Sequence, residues 1–238
     1  MAVHKVAIVG AGFSGLAMAI QLKRSGEHDF VVLEEAAEVG GTWRENTYPG
    51  CACDIPSLLY SYSFEPNPRW TRHYPRQQEI WDYLRHCARK YGITPHIRYR
   101  TRMVAAEFDD EARLWRLRAE SGETIRARAV VGAMGPLHLP SIPDIAGLDR
   151  FGGRKFHSAD WDHSYDLTGK RVAVIGTGAS AIQIVPELQQ VAGRVDLYQR
   201  TAPYVIPRND RTYTRLERAL FTRFPALQRL YRAGVYWG

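Results

Sequence analysis

The stretch Val6-Ala7-Ile8-Val9-Gly10-Ala11-Gly12-Phe13-Ser14-Gly15 decides the fold of this chain. An apolar run enters a Gly-x-Gly-x-x-Gly turn and apolar residues at helical spacing follow, which predicts a buried parallel strand, a tight turn and a helix. In such a turn Gly10 permits the bend, Gly12 lets the backbone approach a pyrophosphate, and Gly15 lets helix and strand pack closely. The N–H groups at the start of the helix then face the anion. The stretch therefore predicts a dinucleotide site.

The residues after the turn predict a second strand that ends in an acid. The helix is expected to run to about Arg24 and to stop at Gly26. Residues 29–34 then form an apolar strand, and Glu34 follows the first glycine at close to the spacing, roughly 20 residues, at which an acid binds ribose hydroxyls. The alternative for Glu34 is a solvated strand end, and its spacing favours the ribose.

The same strand, turn, helix and strand return in residues 171–198. The turn is Gly176-Thr177-Gly178-Ala179-Ser180-Ala181, in which alanine replaces the third glycine, an accepted variant. Pro186 is expected to kink or shorten the helix. Arg200 takes the place that Glu34 has in the first copy. Because an acid suits a free ribose 2′-hydroxyl and an arginine suits a 2′-phosphate, we expect NADP at the second site and an unphosphorylated dinucleotide at the first.

Between the two copies the pattern changes twice. A loop rich in Pro, Gly and aromatic residues spans residues 48–74, a length that is usual for functional loops. An amphipathic helix between Pro75 and Gly92 follows, with Cys87 on its apolar face as a buried small hydrophobe. Period-two segments then predict an antiparallel meander and a further buried strand beside the first site. These segments are Met103–Phe108, Arg113–Ala119, Thr124–Arg128 and Val130–Gly135.

The predicted fold class is therefore α/β, with two Rossmann-like dinucleotide-binding domains and an antiparallel β-meander in the first. Prolines 136, 140 and 143 mark a linker. The predicted boundaries are residues 1–137 for the first domain, 138–168 for the linker and 169–238 for the second domain.

Composition narrows the class of protein. The 238 residues include three cysteines, which form neither a disulfide framework nor a four-ligand zinc pattern, so we expect no metal site and a cytoplasmic protein. The sequence contains no run long enough for a membrane span and no signal peptide is expected. The net charge of +7 comes mainly from seven arginines in residues 201–238. The basic residues are confined to this segment and form no basic stripe over a domain, so we expect no nucleic-acid partner.

Two longer motifs resemble the Baeyer–Villiger monooxygenase family of flavoproteins. Residues 40–54, Gly-Gly-Thr-Trp-Arg-Glu-Asn-Thr-Tyr-Pro-Gly-Cys-Ala-Cys-Asp, are similar to its flavin-side motif. Residues 151–162, Phe-Gly-Gly-Arg-Lys-Phe-His-Ser-Ala-Asp-Trp-Asp, fill every fixed position of its fingerprint F-x-G-x-x-x-H-x-x-x-W-(P/D). The resemblance covers nearly the whole chain.

The resemblance implies FAD at the first site and NADPH at the second. In the family NADPH reduces the flavin, oxygen adds at flavin C4a, and the peroxyflavin attacks a ketone to give an ester or lactone, while the protein positions the cofactors and excludes water. The positions implied for FAD are Gly10, Gly12, Phe13, Ser14, Gly15, Glu34, Gly41, Thr42, Trp43, Asp54, Ile55, Tyr60, Val104 and Met134. Those implied for NADP are Thr177, Gly178, Ala179, Ser180, Gln183, Arg200 and Thr201, with Arg200 on the phosphate.

Two residues are implied in catalysis. Asp54 matches an aspartate that in the family lies near the flavin and orients an arginine where negative charge develops. Its alternative is an ordinary Asx-turn in a loop. His157 falls in the fingerprint, and the hypothesis is that it couples domain motion to NADP binding. Its alternative is a structural histidine with satisfied hydrogen bonds.

Several alternatives stay open. A disulfide reductase is disfavoured, because Cys51-x-Cys53 lacks the usual redox spacing and Trp43 stands where a redox cysteine is common. The same cofactors could serve oxygenation at nitrogen or sulfur, with an amine or sulfide as substrate. Family members are longer, so the chain is expected to be an N-terminal portion without the arginine partner of Asp54, and a non-catalytic binding fragment is the alternative. Residues 216–237 are amphipathic and predict either packing surface or a membrane-surface helix.

Overall fold

The computed structural model describes residues 3–137 and 139–237. Its strands are β1 (Val3–Val9), β2 (Phe30–Leu33), β3 (Ile97–Arg98), β4 (Met103–Asp109), β5 (Leu114–Ala119), β6 (Thr124–Gly132), β7 (Arg171–Ile175) and β8 (Arg194–Tyr198). Its α-helices are α1 (Phe13–Arg24), α2 (Thr42–Glu45), α3 (Gln77–Lys90), α4 (Ala179–Val191), α5 (Arg215–Arg223) and α6 (Pro225–Trp237). Short 3-10 helices cover Thr94–His96, Leu148–Arg150 and Ser158–Asp160.

The described residues divide into two compact units. The first comprises Met1–Glu45 and Ile80–Leu139, and the second comprises Asn46–Glu79 and Pro140–Gly238. The loop that follows α2 therefore folds with the second unit, although sequence order places it between elements of the first. The domain boundaries expected from the sequence stay a prediction.

A six-stranded sheet forms the centre of the first unit, in the order β3-β2-β1-β6-β5-β4. Strands β3, β2, β1 and β6 are parallel, while β5 and β4 pair antiparallel beyond them. The two neighbours of β1 are β2 and β6, and Val6 lies opposite Phe30 on one side and Ala129 on the other. Because the chain leaves β1 towards β2 while β6 lies on its other side, the carboxyl end of β1 is a topological switch point, where ligands of open α/β sheets bind.

The core of this unit follows from its apolar periodicity. One cluster of buried side chains consists of Ala7, Val31, Leu33, Leu117, Ala119, Ile125 and Ala127. Helix α1 buries Leu16, Ala19 and Ile20. Helix α3 buries Ile80, Tyr83, Leu84, Cys87 and Ala88. Cys87 is buried as predicted.

The antiparallel meander is confirmed, with one correction to its last strand. Residues 124–128 and 130–135 were expected to form two strands, and this is wrong, because a single strand β6 runs from Thr124 to Gly132. Its first half pairs with β5 and nearly its whole length pairs with β1. The change from alternating to continuous apolar residues marks where β6 leaves its antiparallel neighbour, and the strand itself continues.

The second unit contains the repeated strand–turn–helix–strand pattern. Strands β7 and β8 pair in parallel and α4 connects them, with Ile175 opposite Tyr198 at their carboxyl ends. Pro186 was expected to kink or shorten α4; the shortening is wrong, since the helix continues to Val191, and the kink stays a prediction. Ile184 and Leu188, on either side of the proline, are buried and hold the helix in place. With these two nucleotide-binding patterns, the predicted fold class is confirmed.

Two amphipathic helices follow in the second unit. Helix α5 starts with a capping box in which Thr214 and Glu217 bond each other's backbone N–H groups. Arg211 pairs with the Glu217 carboxylate at 2.8 Å, and this pairing, together with the hydrogen bonds from Thr214, lowers the pKa of Glu217 to about 2. Within residues 3–137 and 139–237, no helix is both long enough and apolar enough to cross a membrane.

Replacement of Gly15 by alanine tests the packing of the first turn. The added Cβ would lie 1.9 Å from the Gly10 carbonyl oxygen, which belongs to the backbone and cannot yield. We expect Gly15→Ala to lower the free energy of unfolding by about 3 kcal/mol, measured by urea denaturation. The matched control is Gly234→Ala in α6, where an added Cβ meets no heavy atom within 4 Å among the described residues. That change is expected to stabilise by up to about 1 kcal/mol. Equal effects of the two substitutions would contradict the packing described for Gly15.

Candidate nucleotide-binding sites

The first glycine turn lies at the edge of the sheet where β1, β2 and β6 all end. Gly10 has a φ of +104°, and a Cβ there would lie 2.5 Å from the Ala133 carbonyl oxygen. At Gly15 the Gly10 carbonyl likewise leaves no space for a Cβ. By contrast, a Cβ on Gly12 would meet only the Gly41 Cα, at an ordinary contact distance of 3.8 Å. Packing therefore demands glycine at the first and third positions, while the second leaves room for a close ligand, as a pyrophosphate requires.

Glu34 ends β2 beside this turn and is 4% exposed, so the solvated strand end is the wrong interpretation. One carboxylate oxygen accepts the Ala11 N–H at 2.7 Å. The other accepts the Ala36 N–H at 3.0 Å and the Arg44 Nη1 at 3.2 Å. Two backbone donors and one arginine thus fix both oxygens, and the oxygen that accepts only the Ala11 N–H keeps a lone pair that could accept a ribose hydroxyl.

Two residues that hold this site were missed by the sequence reasoning. Arg44 lies in the flavin-side motif and pairs with Glu34, but no spacing rule connects an arginine in a loop to the end of a strand. Trp81 on α3 donates its indole N–H to the Val39 carbonyl at 2.8 Å. A Cβ on Gly40, whose φ is +137°, would lie 2.7 Å from the Trp81 ring. A tryptophan on an amphipathic helix gave no signal beyond packing.

The Gly-Gly-Thr-Trp motif packs directly onto the first turn. The Gly40 N–H donates to the Ala11 carbonyl at 3.1 Å, and a Cβ on Gly41 would lie 3.3 Å from the Gly12 Cα. The short helix α2 begins at the next residue. The structure thus gathers a majority of the FAD positions in this unit around one turn. They are Gly10, Gly12, Phe13, Ser14, Gly15, Glu34, Gly41, Thr42, Trp43 and Met134.

Val104, also implied as an FAD position, lies on a strand that is not adjacent to the first glycine turn. It lies on β4, which β6 and β5 separate from β1, and its side chain is exposed. The chain leading into β4 nevertheless passes the end of β2, because the Thr101 N–H donates to the Glu34 carbonyl at 2.8 Å. Asp54, Ile55 and Tyr60 belong to the other unit. The role of each of these residues as a ligand stays a prediction.

The second glycine turn, between β7 and α4, is open. Gly176 has a φ of +106°, so its backbone favours glycine. Neither it nor Gly178 has a heavy atom of the described chain within 4 Å of where a Cβ would be. Gly178 caps α4 with no side-chain hydrogen bond. Protein packing does not explain the glycine at Gly178, whereas a bound phosphate at the helix N-terminus would.

The other positions predicted for NADP lie around this turn, with the exception of Gln183. Thr177 donates its hydroxyl to the Thr201 carbonyl at 3.5 Å, and Arg200 is exposed just beyond β8. Ala179 and Ser180 form the first turn of α4. Gln183, however, directs its side-chain amide to the backbone of Ala52.

The loop of residues 46–74 is held by side chains from three later parts of the second unit. Gln183 of α4 bonds the backbone of Ala52. Asp210 accepts two hydrogen bonds from the guanidinium of Arg72, at 2.7 and 3.0 Å. Arg232 of α6 donates to the carbonyls of residues 58, 59 and 61. The loop is therefore a built part of this unit, and the Asp54 side chain projects from it exposed.

The two motif cysteines are packing residues. Both are buried free thiols, and burial raises the pKa of Cys51 and raises that of Cys53 to about 11. The Cys53 sulfur accepts the Ile55 N–H at 3.4 Å. Arg208 lies close by, with its Nη1 3.5 Å from the Cys53 carbonyl oxygen. A thiol that stays protonated is a poor nucleophile, which agrees with the rejection of a reductase.

The fingerprint of residues 151–162 folds into a compact local structure. A Cβ on Gly153 would lie 2.6 Å from the Phe151 ring, which explains the Phe-x-Gly spacing. Arg154 pairs with Asp162, its Nε donating at 2.7 Å. His157 caps the 3-10 helix that follows, since its Nδ1 accepts the Ala159 N–H at 3.1 Å. This contact gives His157 a structural role, and its proposed part in domain motion stays a prediction.

Two Gly-rich turns at the carboxyl ends of parallel strands, with an acid after one and an arginine after the other, are typical of proteins that bind two dinucleotides. A family model described as flavin-binding monooxygenase-like matches residues 3–232. The chain belongs to this family.

Known relatives confirm the resemblance seen in the two motifs. A Baeyer-Villiger monooxygenase of Pseudomonas aeruginosa is 53% identical over 232 residues, which are 98% of this chain and 44% of that protein. The structure of an oxidized steroid monooxygenase bound to NADP aligns with a TM-score of 0.86 and 38% identity over 95% of this chain and 44% of the other. A complex of OTEMO with FAD and NADP aligns with a TM-score of 0.86 and 32% identity, at the same coverage. The chain thus spans less than half the length of these relatives.

The buried cysteines give a test by thiol labelling. With a pKa of about 11, Cys53 is ionised at pH 8 only to the order of one part in a thousand. We expect a disulfide reagent to label the native chain slowly at about pH 8 and faster as the pH approaches 11. The same chain in denaturant should react at all three cysteines at the rate of free thiols. Burst labelling of native Cys51 or Cys53 at about pH 8 would show that the motif is open.

The same raised pKa predicts how stability depends on pH. In the unfolded chain the cysteine thiol has a pKa of about 8.5. The folded thiol keeps its proton up to about 11. The stabilisation is therefore full below the unfolded pKa and is lost as the pH rises through this window. Urea denaturation measures the free energy of unfolding of the chain and of a Cys53→Ala variant at each pH. The free energy should fall more steeply with pH in the unmodified chain. Parallel falls in the two proteins would contradict the raised pKa of Cys53.

Proposed function

We propose that this chain holds FAD at the first glycine turn and NADPH at the second, and that it serves a Baeyer–Villiger-type monooxygenase. The proposed reaction inserts one oxygen atom of O2 next to a ketone carbonyl to give an ester or lactone. One observation carries the proposal, namely two glycine turns with Glu34 after one and Arg200 after the other at equivalent positions. The family and the Baeyer-Villiger relatives support it.

The residues at the first turn fit the adenine half of FAD. Gly12 leaves space for the pyrophosphate, and the α1 N-terminus supplies N–H groups and a positive dipole end. The Glu34 carboxylate is already oriented by Ala11, Ala36 and Arg44, and the oxygen bonded to Ala11 would accept a ribose hydroxyl without rearranging. When bound, the flavin would supply the redox chemistry with O2, and the chain would supply binding and orientation.

The residues at the second turn fit NADPH. Gly178 leaves the N-terminus of α4 accessible to a pyrophosphate, and Thr177 and Ser180 flank it. Arg200 is exposed at the strand end and would pair with the 2′-phosphate, a group that NADH lacks. This arginine would therefore discriminate between the two nicotinamide cofactors.

Asp54 is the proposed catalytic residue. Its carboxylate is exposed and directly follows Ala52 and Cys53, whose backbone is held by hydrogen bonds on two sides, so it could orient a guanidinium without moving. His157 is proposed to act in coupling domain motion to NADP binding. We also propose a cytoplasmic location, because the three cysteines are free.

Oxygenation at nitrogen or sulfur is the second candidate reaction, since the same cofactors support it. The motif pattern of residues 151–162, which ends in Trp161-Asp162, favours the ketone reaction. A binding role without catalysis is the third candidate, because the chain spans 44% of its Pseudomonas relative.

The activity is tested directly with purified chain reconstituted with FAD. We expect a yellow protein that oxidises NADPH faster when a ketone is added and that forms an ester or lactone carrying one atom from labelled O2. The measurements are NADPH absorbance and product mass spectrometry, with an amine and a sulfide as parallel substrates. Turnover of the amine or sulfide alone supports the second candidate. Flavin binding without NADPH oxidation supports the third and contradicts a catalytic chain.

Replacement of Arg200 tests the assignment of the second site. Loss of a charge-assisted contact of about 1.5–3 kcal/mol corresponds to roughly a 10- to 100-fold weaker binding of NADP+ by Arg200→Gln. Binding of NAD+ should change by less than about threefold, and both are measured by calorimetric titration. The matched control is Arg194→Gln at the start of β8, where the arginine pairs with Asp196 at 2.8 Å. Equal weakening of NADP+ and NAD+ by Arg200→Gln would show that Arg200 does not read the phosphate.

A further inference from the structure

The segment Cys51–Cys53 is hydrogen-bonded on two sides, and its middle residue Ala52 forms an isolated antiparallel bridge with Arg76. On one edge the Cys53 N–H donates to the Pro75 carbonyl at 2.9 Å, and the Cys51 carbonyl accepts the Gln77 N–H at 3.0 Å. On the other edge stands a side chain. The Gln183 Oε1 accepts the Ala52 N–H at 3.0 Å, and its Nε2 donates to the Ala52 carbonyl at 2.9 Å. The glutamine amide thus takes the place of a neighbouring strand.

Gln183 and its neighbour Ser180 also hold Tyr48, which precedes this segment. The Tyr48 hydroxyl donates to the Gln183 Oε1 at 3.3 Å and also hydrogen-bonds the Ser180 side chain. Burial raises the pKa of Tyr48 to about 12, so the hydroxyl stays protonated and remains a donor. Between the two contacts, Gly50 has a φ of +78°, and a Cβ there would lie 2.6 Å from the Gln183 carbonyl oxygen. The motif loop and α4 are therefore in direct backbone contact.

We propose that Gln183 is a positioning residue that links the second glycine turn to Asp54, rather than a ligand of the nucleotide. The link rests on the proposed function, in which NADP binds at the N-terminus of α4. The Gln183 Oε1 accepts the Ala52 N–H and the Tyr48 hydroxyl, and its Nε2 donates to the Ala52 carbonyl, two residues before Asp54. Three of the four hydrogen-bonding positions of the amide are therefore used within the protein, and they direct the side chain to the motif loop. Ser180, in the first turn of α4, bonds Tyr48 from the end that the nucleotide would contact.

The physical basis of the link is the rigidity of short hydrogen bonds at backbone atoms. A change in the position or mobility of α4 when a nucleotide binds is passed to Ala52 through two bonds of about 3 Å and to Tyr48 through its hydroxyl. The opposite edge of the segment is fixed by Pro75 and Gln77, so the displacement is confined to the residues that carry Asp54. Occupancy of the second site would thereby set the mobility of the Asp54 backbone.

Hydrogen exchange at the Ala52 amide measures the link without any turnover. Gln183→Met keeps the length of the side chain and removes both hydrogen bonds to Ala52 and the one from the Tyr48 hydroxyl. We expect the nucleotide-free variant to exchange the Ala52 amide about tenfold faster, the effect of losing roughly one net hydrogen bond. In the unmodified chain NADP+ should slow this exchange further, and in Gln183→Met it should not, while calorimetry gives an NADP+ affinity within about threefold of the original. The control Gln189→Ala, exposed on the same helix, should behave like the unmodified chain.

Each other outcome overturns the inference in a recognisable way. Unchanged Ala52 exchange in Gln183→Met removes the positioning role, and a retained response to NADP+ removes the link. A loss of NADP+ affinity of tenfold or more would make Gln183 a ligand. If Gln183→Met does not fold, Tyr48→Phe decides, since it removes only the hydroxyl contacts and should weaken the response to NADP+ while Ala52 stays protected. An unmodified chain that binds no NADP+ overturns the assignment of the second site and the link together, whereas failure of the link alone leaves NADP+ binding intact.

Discussion

The close contact between Gly15 and the Gly10 carbonyl is the constraint on which the first unit depends. Because no side chain fits at Gly15, α1 can begin directly against the end of β1. The N-terminus of α1 then lies at the sheet edge where β1, β2 and β6 end, and Glu34 reaches the Ala11 N–H from the neighbouring strand. A tight turn, a helix dipole and an oriented carboxylate are thus consequences of one steric requirement.

The two glycine turns share a sequence pattern and differ in physical design. In the first turn two of three glycines are fixed by packing, and the Glu34 carboxylate is buried among its donors before any ligand arrives. In the second turn Gly178 has open space beside it and Arg200 is exposed. A preorganised site loses little on binding and suits a cofactor that stays bound. An open site with an exposed arginine suits a cofactor that enters and leaves in each cycle.

The local sequence pattern was sufficient to predict those helices and strands whose apolar residues recur with a strong period. The order β1-α1-β2, the face of α3 and the β7-α4-β8 copy are all predicted from apolar spacing and glycines. The continuity of β6 was not predicted, because its apolar pattern changes at the point where it stops pairing with β5 and continues along β1. Pro186 was expected to shorten α4, but the burial of Ile184 and Leu188 outweighs the missing hydrogen bond. The roles of Arg44, Trp81 and Gln183 depend on contacts between residues distant in sequence, which a single sequence does not reveal.

The proposed function requires one chain to hold two different dinucleotides at the same time. Native mass spectrometry of the chain with FAD and NADP+ together measures this directly. We expect a species whose mass increases by one FAD and one NADP+, and we expect that excess NADP+ does not displace FAD. A chain that binds only one nucleotide at a time, with each displacing the other, would contradict the assignment of two separate sites.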